Sequence, residues 1–323
     1  MTKYIIKRIL WLIPTIAIVS LIVYFLMDLT PGTVVDTMIS GDMSQEEIDE
    51  LYKAYDLDKP LLFRYGKYML GLLKGDLGLS QTTHTSIWKE FISKFPNTII
   101  LSLGGMVIAC LIAIPLGIFA ARHADSALDS ITTGFTLIGM SMPNFWLGLL
   151  LIIVFAYKLR IFPVGGADGF MSYILPAVSN SLVMMASTTR QTRSSMLDNL
   201  RADYLRTARA KGVSERNVIR KHALKNAWIP IITTIGTSLS RTMAGSAVVE
   251  TVFSFPGVGK LTIDAVMRRD VTMATGCIIL TTIIYVLILL LVDIVYAFVD
   301  PRIKSQYTVG SKKKKNKKEI VAG

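Results

Sequence analysis

The 323-residue sequence is poor in the side chains that carry covalent chemistry. It has two cysteines, Cys110 and Cys277, both inside apolar runs, so neither a disulfide framework nor a CxxC metal or redox site has support. Its three histidines, His84, His123 and His222, are scattered, with no HExxH spacing and no acidic cluster to complete a metal shell. No GxSxG or comparable nucleophile motif occurs. The stretch GVGKLT at 257–262 looks only superficially like a phosphate-binding loop. That loop needs a glycine five positions before Gly259, where Ser254 stands, and a Ser or Thr after Lys260, where Leu261 stands. Internal repeats are absent too. Catalytic, cofactor-binding and metal-ligating residues are therefore all assigned as none, and any uphill work must draw its energy from another polypeptide.

What is present is hydrocarbon. With 52% hydrophobic residues and a mean hydropathy of +0.50, the chain is too apolar for a soluble domain of its size and reads as a polytopic membrane protein. The net charge of +12 is concentrated beside apolar runs, as positive-inside topology requires, and forms no aromatic-interleaved platform. Nucleic-acid binding is excluded on that distribution.

Six spans are expected, giving an all-α membrane protein. Lys3, Lys7 and Arg8 precede the first run, 9–27, which is longer than a secretory h-region and lacks a small-residue cleavage site, so it reads as a retained helix with its N-terminus in the cytoplasm. Residues 29–97 carry ten acids against seven bases and form an external helical insert, with Ser44 and Glu47 offering a capping box and Pro60 separating two amphipathic pieces. This insert is either a cap on the membrane helices or a docking surface for a delivery protein. Further spans are expected at about 99–121, 131–157, from 173, 228–249 and 272–299. Ser141, Pro143 and Asn144 fall in the middle of the third, where freed backbone groups must face protein or water, and so are candidates for a translocation pathway. In the fifth, Thr237 and Arg241 are further candidates. Arg241 lies about 20 Å from the cytoplasmic end of that helix, too deep to snorkel easily. It faces either an anionic group of a substrate or a carboxylate of a neighbouring subunit. The lysine-rich tail, within 304–323, reads as disordered and attracted to anionic lipid.

The segment 199–230 interrupts this pattern. Between 190 and 226 ten Lys or Arg stand against three acids, without a run long enough to imply disorder. Leu200, Tyr204 and Ala208 recur at four-residue spacing with Leu205 beside them, predicting a short helix with one docked face. Gly212 stands where a helix C-terminus wants positive φ, Ser214 is the expected N-cap of a second short helix, and Pro230 is expected at the start of the next apolar run.

YLRTARAKGVSERNVIRKHALKNAWIP, 204–230, resembles the conserved loop of type I ABC importer permeases in its oligopeptide and dipeptide form. YIIKRILWLIPT, SMPNFWLGLLLIIVFA, TRSSML, VVETVFSFPGVGKL and VDPRI are similar to other segments of the B-type permease subunit, so the resemblance covers nearly the whole chain. It implies coupling helices at about 199–226 that seat on an ATPase subunit through Tyr204, Arg206, Thr207, Ala208, Lys211, Gly212, His222 and Leu224. Arg206 stands where the broader superfamily often has Glu, in keeping with the peptide branch. The resemblance further implies a second homologous permease, two ATPases that bind the ATP and Mg, an external peptide-binding lipoprotein, and a bacterial cell membrane with both termini cytoplasmic. The chain divides into 1–97, a permease domain at 98–303 and the tail. Peptide, nickel complex or glutathione all fit as cargo. The alternative from another class, an ion-coupled carrier acting alone, would want paired intramembrane carboxylates, for which Asp293 is the one clear candidate.

Overall fold

The computed structural model describes residues 2–39, 43–243 and 246–299, and its regular elements are helices apart from one isolated bridge between Leu79 and Ser86. The lysine-rich tail and all of the VDPRI segment after Val299 lie outside the described residues.

Helix α1 (Thr2–Leu29) is followed by α2 (Gln45–Ala54) and α3 (Leu61–Leu73). The expected capping box forms, Ser44 and Glu47 satisfying each other's backbone amides, and Pro60 occupies the N-cap of α3. Tyrosines pin this insert to α1: Tyr65 Oη donates to Ala17 O at 2.8 Å, and Tyr24 packs its ring 5.5 Å from those of Tyr65 and Tyr68.

Helix α4 (Ile87–Arg122) starts twelve residues before the expected second span and runs unbroken through residue 97, so the insert ends nearer residue 86. The reason is burial, since Ile87 and Phe91 are core residues at that end of the bundle and extend the helix by packing.

The third expected span is not one helix. Chain direction changes by 97° between α5 (Ala127–Ser141) and α6 (Asn144–Leu151), which continues as a π-helical turn over Ile152–Lys158. Proline without an amide hydrogen cannot continue a helix, and Pro143 takes the N-cap of α6 in an extended conformation. The turn is lined by protein on one side, where Ser179 Oγ donates to Asn144 O at 3.0 Å.

Helix α7 (Met171–Leu200) is the hub, packed on α4 most extensively and then on α10, α5 and α6. Its Ser179, Asn180, Ser181, Thr188, Thr189, Thr192 and Ser195 are buried. Small residues of α4 make room: a Cβ on Gly117 would stand 2.5 Å from Thr192 Cβ. A helix this polar is tolerated because protein, not lipid, covers it.

After α8 (Asp203–Ala210), α9 (Glu215–Asn217) and a π-helical turn (Val218–Ala223), the chain enters α10 (Leu224–Met243) without a break. Two expectations fail here. Pro230 lies inside α10 instead of opening it, held there by the burial of Ala227 and Ile231 on either side. The fifth helix is also not continuous to 249: α10 is described as far as Met243, and Ala247–Val252 is a separate short helix, α11, leading to α12 (Val258–Met267) and α13 (Val271–Val299). Among the described residues three helices are long and apolar enough to cross a membrane, or four if the bent pair α5–α6 is one span. Helices α7 and α10 do not meet that criterion, because serine, threonine and arginine dilute them.

Candidate functional site

The basic loop is built around a glycine hinge. Helix α8 ends at Ala210 with Lys211 as its C-cap, and Gly212 adopts φ +77, the left-handed conformation expected of the residue after a helix C-cap. Gly212 N donates to Arg209 O at 2.9 Å and Val213 N to Ala208 O at 3.2 Å, the two bonds of a Schellman motif. Val213 completes it by packing on the cluster that buries Leu205 and Ala208.

Across the hinge, Arg209 makes two parallel bonds to Glu215, Nε to Oε2 at 3.0 Å and Nη2 to Oε1 at 2.9 Å. Those bonds hold the Glu215 carboxyl below the usual carboxylate range and raise the Arg209 guanidinium. Ser214 stands at the expected N-cap in an extended conformation, but its hydroxyl makes no capping bond. Charge at Glu215 in the first turn and the clasp to Arg209 take over that role.

The docked face of α8 differs from the expected one. Leu205 and Ala208 are buried against Met196, Val218, Ile219 and Ala223, whereas Tyr204 is turned outward, 40% exposed, with its hydroxyl donating to Asn199 Oδ1 at 2.9 Å. The helical period places 205 and 208 on one stripe and 204 at its edge, and the bulky leucine wins the core. Of the residues expected to contact a partner, Tyr204, Arg206, Thr207, Lys211, Gly212 and His222 form an exposed rim. Ala208 is covered by this chain's own core and Leu224 is half-buried against the same cluster. Arg206 lies 3.6 Å from Asp203, with both side chains largely in solvent.

The pathway candidates fall into two separate groups. Ser141 and Pro143 are exposed at the α5–α6 break, and Asn144 Oδ1 is buried without a hydrogen-bond partner among the described residues. Thr237 and Arg241 lie one turn apart on α10, Thr237 half-buried with its hydroxyl on Thr234 O and Arg241 exposed. Helix α10 packs on α7, α13 and α4, while α5 and α6 pack on α7. No hydrogen bond or ion pair joins the two groups among the described residues, nor does Arg241 have an ion-pair partner there.

Two polar devices were not legible beforehand. Arg193 on α7 donates from Nε and Nη2 to both carboxylate oxygens of Asp129 in the first turn of α5, 64 positions away. Glu250 on α11 is fully buried at the N-terminus of α12. The signal for each was an acid beside an apolar run, but its partner could not be read from spacing. The GVGKLT stretch does present a helix N-terminus to an acidic side chain, and that side chain is the chain's own Glu250. Among the described residues no group of His, Cys, Asp and Glu is arranged to hold a metal ion.

Comparison with known proteins agrees with this architecture. The family described as binding-protein-dependent transport system inner membrane component matches residues 113–305, and the N-terminal region of such membrane components matches residues 1–102. The oligopeptide transport system permease protein AppB of Bacillus subtilis is 36% identical over 315 residues, covering 94% of this chain and 100% of the relative. The glutathione transport system permease protein GsiC of Escherichia coli K12 is 38% identical over 304 residues, covering 94% and 99%. The dipeptide transport system permease protein DppB of the same strain is 35% identical over 337 residues, again covering 94% and 99%. Among solved structures, an inward-facing MetNI methionine ABC transporter matches with a TM-score of 0.56 at 16% identity, over 65% of this chain and 96% of that one, which speaks to the fold alone. A helical fold shared with an ABC importer, full-length permease relatives and two family matches that together span nearly the whole chain converge on one assignment: this is a multi-pass, non-catalytic permease subunit of the binding-protein-dependent transport system inner membrane component family.

Proposed function

We propose that the chain is one of two homologous permease subunits that together pass peptides into the bacterial cytoplasm, driven by ATP hydrolysis in two separate ATPase subunits and supplied by an external peptide-binding lipoprotein. Six crossings, with α7 and α10 as protein-covered spans and α5–α6 as one broken span, leave the basic loop and both termini in the cytoplasm. The observation that carries the reading is the hinged loop itself. It offers a rim of Tyr204, Arg206, Thr207, Lys211 and His222 on a rigidly seated helix pair, in a chain that has no energy-yielding site of its own. Energy then enters by contact at that rim, with Leu205, Ala208 and Leu224 transmitting movement to α7 and α10 through the shared core.

The peptide cargo is inferred from what the relatives are named for: an oligopeptide, a dipeptide and glutathione, itself a small peptide. Arg241, exposed on α10 without an ion partner among the described residues, is placed in this reading where a cargo carboxylate passes. Purification with its native neighbours, followed by reconstitution into vesicles, tests both parts. The expected result is copurifying ATPase subunits and ATP-dependent accumulation of labelled di- or tri-alanine. Uptake driven by an ion gradient with no ATPase present would overturn the reading, while ATP-driven uptake of glutathione or a nickel complex alone would redirect the cargo.

A further inference from the structure

Glu250 is a carboxyl with no cation beside it among the described residues. It is fully buried, and among the described residues no Lys, Arg or His pairs with it, the nearby Lys260 Nζ being engaged by Asp264. Its stabilisation is instead entirely by hydrogen-bond donors from three directions. Thr98 Oγ1 on α4 donates to Oε1 at 2.9 Å, Ser246 Oγ donates to the same oxygen at 3.3 Å, and Lys260 N in the first turn of α12 donates to Oε2 at 2.9 Å. Thr98 Oγ1 accepts in turn from Val258 N at 3.0 Å, so its proton is directed at Glu250. The fit is close: a Cβ on Gly257 would overlap the Glu250 carboxyl carbon.

Neighbouring bonds tie down the rest of the hairpin formed by 246–260. Asn97 Nδ2 donates to Pro256 O at 2.9 Å, Tyr173 Oη donates to Asn97 Oδ1 at 2.9 Å, and Gly166 N donates to Phe253 O at 3.0 Å. Phe253 and Phe255 are buried beneath. Apolar packing alone would tolerate a sliding hairpin. A buried carboxyl that needs donors from α4 and α12 at once is satisfied in only one pose, because leaving any of them unmet is costly.

We propose that Glu250 is a positioning residue of the transport cycle, fixing the 246–260 hairpin against Asn97 and Thr98 of α4 so that the outer end of the pathway is held in one pose. The sidedness rests on the topology proposed above; the anchor itself does not.

The test uses the assembled transporter. Glu250→Gln keeps the volume but turns an amide N–H toward existing donors. The expected result is backbone amide exchange over 255–260 faster by about tenfold, uptake of labelled tri-alanine lowered by a similar factor, and an unchanged yield of assembled complex. Thr98→Val should reproduce both effects and Thr98→Ser should restore wild-type behaviour, with the double Thr98→Val, Glu250→Gln variant no worse than the worse single one. Should Glu250→Gln fail to assemble, the two Thr98 variants decide alone. Unchanged exchange in Thr98→Val, or uptake that falls only in proportion to lost complex, overturns the proposal. Wild-type complex without tri-alanine uptake would instead count against the cargo assignment, and the exchange measurement would still judge the anchor.

Discussion

Arg209 and Glu215 face each other across the Gly212 hinge in a two-bond ion pair, closing the basic loop into a single unit. The Schellman bonds at Ala208 and Arg209 set where the chain turns, and the ion pair sets how far it turns.

At Gly212 the constraint is backbone conformation, not space, because no atom lies within 4 Å of a Cβ built there. Gly212→Ala at φ +77 should cost about 1 kcal/mol in the loop, and Gly212→Asn less, since asparagine tolerates the left-handed region. Gly212→Trp, inserted into the membrane as well as wild type, should lose ATPase docking or uncouple hydrolysis from uptake. Coupled transport at the wild-type rate in the Trp variant would remove the hinge from the mechanism.

The Arg209–Glu215 pair is exposed, its side chains at 40% and 53%, so a double-mutant cycle should return a coupling energy of about 0.2–1 kcal/mol and less at high salt. Its pH dependence follows from the lowered Glu215 carboxyl. A depressed folded-state value means the contribution is present above the unfolded carboxylate range, about 4.3, and is lost as pH falls through the lower folded value. Loop protection from proteolysis, compared between wild type and Glu215→Gln across that window, checks the sign. Convergence of the two as pH rises would contradict it.

The α4–α7 contact should tolerate added volume poorly. A Cβ on Gly117 would meet Thr192 Cβ at 2.5 Å and Thr189 O at 2.8 Å, so Gly117→Ala should lower the assembled yield through about 1–3 kcal/mol of overpacking. Gly134→Ala on α5, with nothing within 4 Å of the new carbon, is the matched control and should assemble normally. Thermal unfolding in detergent reads both.

Arg241 separates cargo contact from subunit contact. Arg241→Lys and Arg241→Met should both leave assembly intact, with uptake of tri-alanine retained in the lysine variant and reduced in the methionine one. Intact assembly with unchanged affinity and uptake in both variants would end the cargo role. Loss of assembly in the methionine variant alone would point to a carboxylate on the neighbouring subunit.

Membrane character, the insert's capping box and the loop's glycine hinge were legible in the sequence because each is a local pattern. Apolar run length, Ser44 with Glu47, and Gly212 with flanking bases all act within a few residues of themselves. The family was legible for the same reason, through several ordered motifs along the chain. What needed tertiary structure was every feature decided by a distant partner. Helix α4 begins early because Ile87 finds a core, and Pro230 stays inside α10 because Ala227 and Ile231 are buried around it. Tyr204 turns outward because Leu205 takes the buried stripe. Asp129 meets Arg193, and Glu250 meets Thr98 and the amide of Lys260, across separations of 64, 152 and 10 positions. Local sequence determines where a helix can start, turn or cross a membrane. Only the packed bundle determines which polar groups are covered, because burial and hydrogen bonding depend on neighbours that the chain brings together from far apart.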